Sequence, residues 1–485
     1  MSEFDDDGDP AEVLLPPSLI GRVKTRLRKL ADWRRDEMLR RLYRNASMLV
    51  AGEGFAALLQ LASIGLTTRA LGKYEWGVLA AVIAYTHLIG SLVKFQTWQA
   101  IVKFGADAMA RGDSEGLGRL IRFTTALDLG TAILAATTCV ATLPLYFAWS
   151  NLDTHYQEFA LVYSAAALFT VSATPTGILR LFDRFDLLAR IPPISAGLRL
   201  AGCIIAWYLG GGLWHFGMIW LGCAGADRLL FVVAGWLELK RRGYGRALFG
   251  SLRNVTEGHQ GLWRFAVAGN LQSSLNALNR EVDTLLLLKI LGPEAAGLWS
   301  LAKRFSAVLS GPARWFLVSV FPQLAKLWAA HDYRLFRRLI LRGSATAGTV
   351  GILAVSLFAV IGPSLISIIA GSNFSGAYVP TLLLMTSRVV TLFAMPMNPA
   401  LLAMNRPMKS LKITVVVTVV YLPVLAVLSA SLGLLGTGLG RILAETIPFF
   451  WLASVVLRTV RRHIERARRL QPGVEAAPLI SPGAT

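Results

Sequence analysis

The chain has 485 residues, 54% of them hydrophobic and only 16% charged, with a mean hydropathy of +0.53. A soluble protein carries roughly a quarter of its residues as charges, so a soluble globular enzyme is excluded. The net charge of +20 suggests nucleic acid, but the basic residues sit between apolar runs, mostly in alternating loops. That is the positive-inside pattern of a membrane protein, and it implies no nucleic-acid partner.

In chain order, residues 1–45 form a cytoplasmic N-terminal segment: an acidic, Pro-containing start expected to be disordered, then a basic stretch from Gly21 to Arg44. Ile20, Val23, Leu27, Leu30 and Trp33 add a helical apolar stripe to it. The stretch reads either as an amphipathic helix on anionic lipid or as a plain cytoplasmic anchor. Apolar runs follow at 47–66, 76–100, 123–146, 159–179, 194–209, 213–237, 265–288, 295–321, 346–370, 378–404, 413–430 and 434–457. Each is about 20 residues or a little more, enough to cross the hydrocarbon core. The expected fold is therefore all-α and polytopic, with about twelve transmembrane helices in two six-helix lobes. The N-lobe covers 46–238, a cytoplasmic linker 239–262, the C-lobe 263–458, and a basic then disordered tail 459–485.

Loops after even-numbered runs hold the Lys and Arg, for example Lys240, Arg241 and Arg242, whereas 150–158 and 371–377 hold none. This predicts a multi-pass protein of the bacterial inner membrane with both termini cytoplasmic. Arg69, Lys73 and Lys289 are exceptions on the outer side. Cys139, Cys203 and Cys223 all fall inside apolar runs and imply no disulfide framework.

One hairpin is written twice. Arg69-Ala-Leu71-Gly72, four residues, Gly77 recurs as Lys289-Ile-Leu291-Gly292, four residues, Gly297. Asp113 with Arg119-Leu-Ile answers Asp332 with Arg338-Leu-Ile, Lys94 answers Arg314, and Gly225-x-x-Arg228 answers Gly438-x-x-Arg441. An even number of spans per repeat gives the lobes one orientation, related by a pseudo-two-fold axis along the membrane normal.

Charges inside spans are costly and by default face a polar cavity or one another. Lys94, Arg199, Arg228, Arg280, Lys303, Arg304, Arg314, Arg388 and Arg441 outnumber Glu53, Asp128, Asp227, Glu281, Asp283 and Glu445. Local pairs are expected for Arg441 with Glu445 and for Arg280 with Asp283. Lys303, Ala307, Ser310 and Arg314 share one helical face; so do His87, Ser91 and Lys94, and Gln272, Asn276, Asn279 and Asp283. These polar faces predict a wet, cationic cavity between the lobes that fits an anionic substrate. The candidate substrate-binding residues are Lys94, Arg280, Lys303, Arg304, Arg314, Gln272, Asn276, Asn279, Arg228 and Arg441. Asp283, Glu53 and Asp128 are the coupling candidates, and His87 is either a proton-coupling group or a hydrogen-bonded core histidine. No catalytic constellation, metal-ligand spacing or phosphate-cradling loop is read, so no enzyme activity, metal or cofactor is expected.

The Arg-x-Leu-Gly-x4-Gly hairpin, its copy after the Asp283 span and Phe321-Pro322-Gln-Leu-Ala resemble the bacterial oligosaccharide flippases. These are the Wzx-type O-antigen and exopolysaccharide transporters of the multidrug/oligosaccharidyl-lipid/polysaccharide exporter superfamily. The likeness runs over about 47–458. It implies alternating access, a cation-lined cavity and a glycan on undecaprenyl pyrophosphate as substrate. Membrane lipids and other glycan-assembly membrane proteins would be its further partners. A multidrug or metabolite antiporter of the same fold, a membrane glycan polymerase or glycosyltransferase, and a non-transporting scaffold are the alternatives.

Overall fold

In the computed structural model the described residues are 37–95, 97–170, 173–245, 262–308, 323–324, 326–404 and 406–470. The basic N-terminal stretch before 37, most of the linker, Ser310, Arg314, Phe321-Pro322 and the end of the tail lie outside them. The helices are α1 (Glu37–Val93), α2 (Thr97–Ala110), α3 (Ser114–Ser150), α4 (Gln157–Tyr163), α5 (Ala173–Leu181), α6 (Phe185–Tyr208) and α7 (Leu213–Arg241). The second half supplies α8 (Leu262–Leu291), α9 (Pro293–Ala307), α10 (Tyr333–Ala370), α11 (Tyr378–Ala394), α12 (Met397–Ala403) and α13 (Pro407–Leu470). Short 3-10 turns complete the fold, and no strand occurs among the described residues.

Eight helical stretches among the described residues are long and apolar enough to cross a membrane. Two of them run 64 and 59 residues, roughly 90 Å if straight, which is three times the hydrocarbon core. The first is interrupted at 94–95, between α1 and α2, and each is broken at a glycine, Gly72 at φ 68°, ψ −175° in α1 and Gly433 at φ 61°, ψ −138° in α13. At the second break the chain doubles back, because Ser429 and Thr437 hydroxyls meet at 2.8 Å.

The duplication read from the sequence is present in the backbone. Gly292, between α8 and α9, has φ 85° and ψ −178°, the conformation of Gly72. Asp113 and Asp332 cap α3 and α10 with φ −83° each and ψ 80° and 73°, accepting from Gly116 N and Leu335 N. Asn151 and Gly371 end those same two helices with positive φ. Each helix also carries an internal proline, Pro144 and Pro363.

The two hairpins pack on each other. A Cβ at Gly77 would fall 1.8 Å from Pro293 O, and one at Gly297 would fall 2.8 Å from Lys73 O. The contact is reciprocal, as a two-fold axis between the glycines demands, and only a missing side chain lets the backbones come so close. Trp76, fully buried, donates its indole N–H to Gly297 O at 3.0 Å. The basic hairpin residues that break the charge rule brace this contact. Arg69 donates to Ile368 O at the end of α10, and Lys289 reaches Asn151 Oδ1 at the end of α3, 3.1 Å away. Cations there complement exposed helix carbonyls.

Core packing follows the same division. Near the hairpins one apolar cluster joins both lobes, from Trp76, Leu79 and Phe216 to Leu285, Leu301 and Phe374. At the other end each lobe has a core of its own, and a smaller cluster of Ala100, Leu120 and Leu262, with Phe123 edge-on to Trp263, bridges them. Leu117, Ile121, Ile178, Phe182 and Leu239 in the N-lobe answer Phe336, Ile340, Ala400, Met404 and Leu452 in the C-lobe.

Three predicted spans are not continuous helices among the described residues: the second breaks at 94–95, between α1 and α2. The fourth is α4, a 3-10 turn at Ser164–Thr170, then α5; the tenth breaks between α11 and α12 at Pro396. Pro175 and Pro396, each in or beside the first turn of the resumed helix, lack the N–H that a continuous helix needs.

Beyond the apolar runs, Arg184 grips Asp186 through two hydrogen bonds of 2.9 and 3.0 Å and also donates to buried Glu238. Arg242 reaches the other Glu238 oxygen at 3.0 Å. The cluster ties the start of α6 to the end of α7. The bonds from Asp186 push the Arg184 guanidinium still higher than its ordinary value, so it stays charged at every working pH.

Candidate functional site

The lobe boundary gathers one knot of charge. Lys303 of α9 reaches Asp283 Oδ1 at 3.1 Å, Glu281 Oε2 at 3.4 Å and Thr284 Oγ1 at 3.0 Å, and it also donates to the Arg280 carbonyl. Asp283 is 2% exposed. The expected Arg280–Asp283 pair is replaced by this one, because Lys303 arrives from the neighbouring helix with three more acceptors around it. His87 of α1 lies 4.0 Å from Glu281 and is exposed rather than set in a core.

Beside the knot, two guanidinium groups share one indole. Arg199 of α6 and Arg304 of α9 lie 4.8 and 5.6 Å from the centroid of the Trp220 ring. Neither makes an ion pair among the described residues, and Arg199 Nε is buried without an acceptor. The ring's electron-rich face attracts both cations, but it cannot neutralise them. Arg304 also feels the Glu281 carboxylate, which Lys303 shares, so the boundary keeps more positive than negative charge, contributed by both lobes.

A cavity of about 780 Å³ lies inside the C-lobe, walled by α8, α11, α12 and both limbs of α13. Arg280, Arg388, Arg441 and Glu445 line it together with Asn276 and Asn279. Arg441 is held by Asn279 O at 2.8 Å and Glu445 at 3.1 Å, so the expected Arg441–Glu445 pair is present. Asn279 also donates to Thr418 Oγ1 at 2.9 Å. The sequence places a cavity between the lobes, whereas this one is lined by residues of a single lobe. The reason is that Asn276 and Asn279 on α8 line the space beside α13.

The remaining candidates disperse. Arg228 pairs with Asp227 at 3.5 Å. The Lys94 carbonyl accepts from Asn270 at 2.7 Å. Asp128, buried in the N-lobe, takes the Thr97 hydroxyl and the Thr174 N–H, both at 2.7 Å. It thus satisfies an orphan donor where α5 resumes the broken span. Glu53 is exposed on α1, within electrostatic reach of Arg180. Gln272 lies on α8 with its side chain outside the described set, and Arg314 is outside it altogether. Arg199 and Arg388 are in-span charges that the sequence reading did not assign to a site. The available signal was isolation, since neither has an acidic residue within four positions in the chain. Among the described residues no group of three or more His, Cys, Asp or Glu gathers as a metal site.

Known proteins place this architecture. Residues 42–328 match the polysaccharide biosynthesis protein family. The chain is 30% identical over 358 residues to inner membrane protein YghQ of Escherichia coli (strain K12), covering 72% of this chain and 98% of that one. Among solved structures, an inward-facing multidrug resistance MATE family transporter of the MOP superfamily aligns with a TM-score of 0.69 at 16% identity, over 84% of this chain and 96% of its own. An outward-facing MATE family transporter of that superfamily gives 0.57 at 17% identity, over 87% and 96%. A MOP superfamily transporter from Pyrococcus furiosus, described as having a binding pocket of reverse polarity, gives 0.58 at 18% identity, over 87% and 96%. With its apolar helices and its two repeated lobes, the chain has the MOP transporter fold and is a multi-pass membrane protein. It belongs to the polysaccharide biosynthesis protein family.

Proposed function

We propose that the chain moves an undecaprenyl-pyrophosphate-linked oligosaccharide, an O-antigen or exopolysaccharide repeat unit, across the bacterial inner membrane by alternating access. The observation that carries this reading is the pair Arg199 and Arg304 on Trp220, charges from both lobes with no carboxylate partner among the described residues. Holding such charges inside a membrane protein is costly unless an anion visits them. A glycan pyrophosphate cannot cross hydrocarbon unaided, because its hydroxyls would lose their hydrogen bonds to water. Arginine forks match its phosphate oxygens. The large shared core near the hairpins, against only the small Ala100–Leu120–Leu262 bridge at the far end, supports a rocking motion that opens the lobes at the far end. The Escherichia coli relative supports an inner-membrane location. The reading is of a carrier with no chemical step, with both termini in the cytoplasm.

The test is complementation of a deletion strain in the native host. Arg199→Gln with Arg304→Gln should abolish surface glycan while leaving protein abundance in the membrane unchanged. Wild-type levels of surface glycan from that double variant would overturn the proposal.

A further inference from the structure

We infer that the C-lobe cavity is a second anion subsite, separate from the lobe boundary, and that it takes a carboxylate-bearing sugar of the glycan. The inference rests on the transport reading above.

Charge comes first. Three arginines, Arg280, Arg388 and Arg441, line the cavity against one lining carboxylate, Glu445. Asp283 lies nearby but is engaged by Lys303 at 3.1 Å. Arg441 is committed to Asn279 O and Glu445, and its guanidinium sits 5.7 Å from the Tyr421 ring centroid. Arg388 differs: it makes no ion pair among the described residues, and its buried Nε has no hydrogen-bond partner. Its carboxylate neighbours Glu445 and Asp283 are already engaged by Arg441 and Lys303, so its fork on the cavity wall is free to take a bidentate anion.

The neutral lining argues for a sugar. Asn276, Asn398, Thr391 and Thr414 supply donors and acceptors, and Tyr421 and Phe449 supply flat apolar walls. Asn398 is fixed by a 2.6 Å bond from Ser410. Amides and hydroxyls beside aromatic faces suit a ring that is apolar on its faces and hydroxylated at its rim. The volume of about 780 Å³ falls in the range of about 300–1,000 Å³ typical of small-molecule sites, room for a few sugar residues.

Comparison of the halves adds an independent point. By the repeat's offsets of 213 to 220 residues, the stretch of the first half that answers Arg388 is 168–175, Leu-Phe-Thr-Val-Ser-Ala-Thr-Pro, which holds no charge. Arg441 has a counterpart in Arg228, but Arg388 has none. One lobe carries a charge that its twin lacks, so the subsite is a feature of the C-lobe rather than of the repeated plan.

The full chain, purified in lipid nanodiscs, is titrated calorimetrically with trigalacturonate, with maltotriose and with inorganic pyrophosphate. Trigalacturonate should bind at least tenfold more tightly than maltotriose. Arg388→Gln should weaken trigalacturonate at least tenfold and leave maltotriose and pyrophosphate unchanged, while Arg388→Lys should retain most of the affinity. Pyrophosphate binding should instead fall in the Arg199→Gln, Arg304→Gln protein. If Arg388→Gln does not fold, Asn398→Leu on α12 replaces it and should weaken trigalacturonate tenfold without touching pyrophosphate. Equal binding of the two trisaccharides, or trigalacturonate binding insensitive to these variants, overturns the subsite. So does pyrophosphate binding that depends on Arg388. Surface glycan in the Arg199, Arg304 strain is scored separately, so failure of the subsite is distinguishable from failure of the transport reading.

Discussion

Alanine at Gly77 would put a methyl group where the structure has no space for one. Its Cβ would sit 1.8 Å from Pro293 O and 2.5 Å from Pro293 C, whereas Cβ contacts under 3.0 Å essentially never occur. Both obstructing atoms are backbone, so no rotamer change relieves them, and the hairpins must separate by at least about 1.2 Å. Overpacking of this kind costs about 1–3 kcal/mol, and loosening the Trp76–Gly297 hydrogen bond adds about 1 kcal/mol. At about 1.4 kcal/mol per factor of ten, a penalty of about 2 kcal/mol shifts the ratio of hairpin-closed to hairpin-open protein roughly 30-fold. Spin labels at Tyr74 and Glu294, exposed and equivalent positions on the two hairpins, report the change as a longer distance in the double electron–electron resonance spectrum. Gly54→Ala is the control, because nothing lies within 4 Å of a Cβ there. An unaltered distance distribution and thermal midpoint in Gly77→Ala would refute the reasoning.

Four further outcomes are expected. Lys303→Met strands Asp283, which is 2% exposed, and should cost about 3 kcal/mol, the lower end for a broken buried pair; adding Asp283→Asn should recover most of the lost thermal midpoint. Asp113→Ala and Asp332→Ala remove the same cap from α3 and α10 and should each cost about 1 kcal/mol; a large difference between the two midpoints would contradict their structural equivalence. Glu238→Gln leaves Arg184 and Arg242 facing a neutral amide and should lower the midpoint by the equivalent of about 1–2 kcal/mol, while Glu238→Asp should lose less. Arg69→Ala with Lys289→Ala should lengthen the Tyr74–Glu294 distance without unfolding the protein, measured by the same spin labels.

What the sequence made legible was what repeats or what is apolar. The hairpin glycines, the capping aspartates and the helix ends appear in the backbone where the repeat put them, because each depends on local geometry that a few residues dictate. The breaks in the fourth and tenth spans are not legible because their apolar character runs unchanged through Pro175 and Pro396, and hydropathy does not register a lost N–H. Pairing across helices was the least legible. Lys303 takes Asp283 from Arg280 although Arg280 is three positions away, since Lys303 meets the buried carboxylate from the neighbouring helix while Arg280 lines the C-lobe cavity instead. Arg69 and Lys289 looked anomalous as charges and make sense only once α10 and α3 are seen to end beside them.

The meeting of Gly77 with Gly297 also bears on how the protein is made. The first hairpin leaves the ribosome 220 residues ahead of the strip of chain that covers it. At about 5–20 residues per second, that leaves Trp76 and its neighbours uncovered for roughly 10–45 s. During that interval the half-made protein presents a groove shaped for a close relative of itself, the second hairpin of another copy included. Strong overexpression should therefore yield interlocked dimers that slower synthesis avoids.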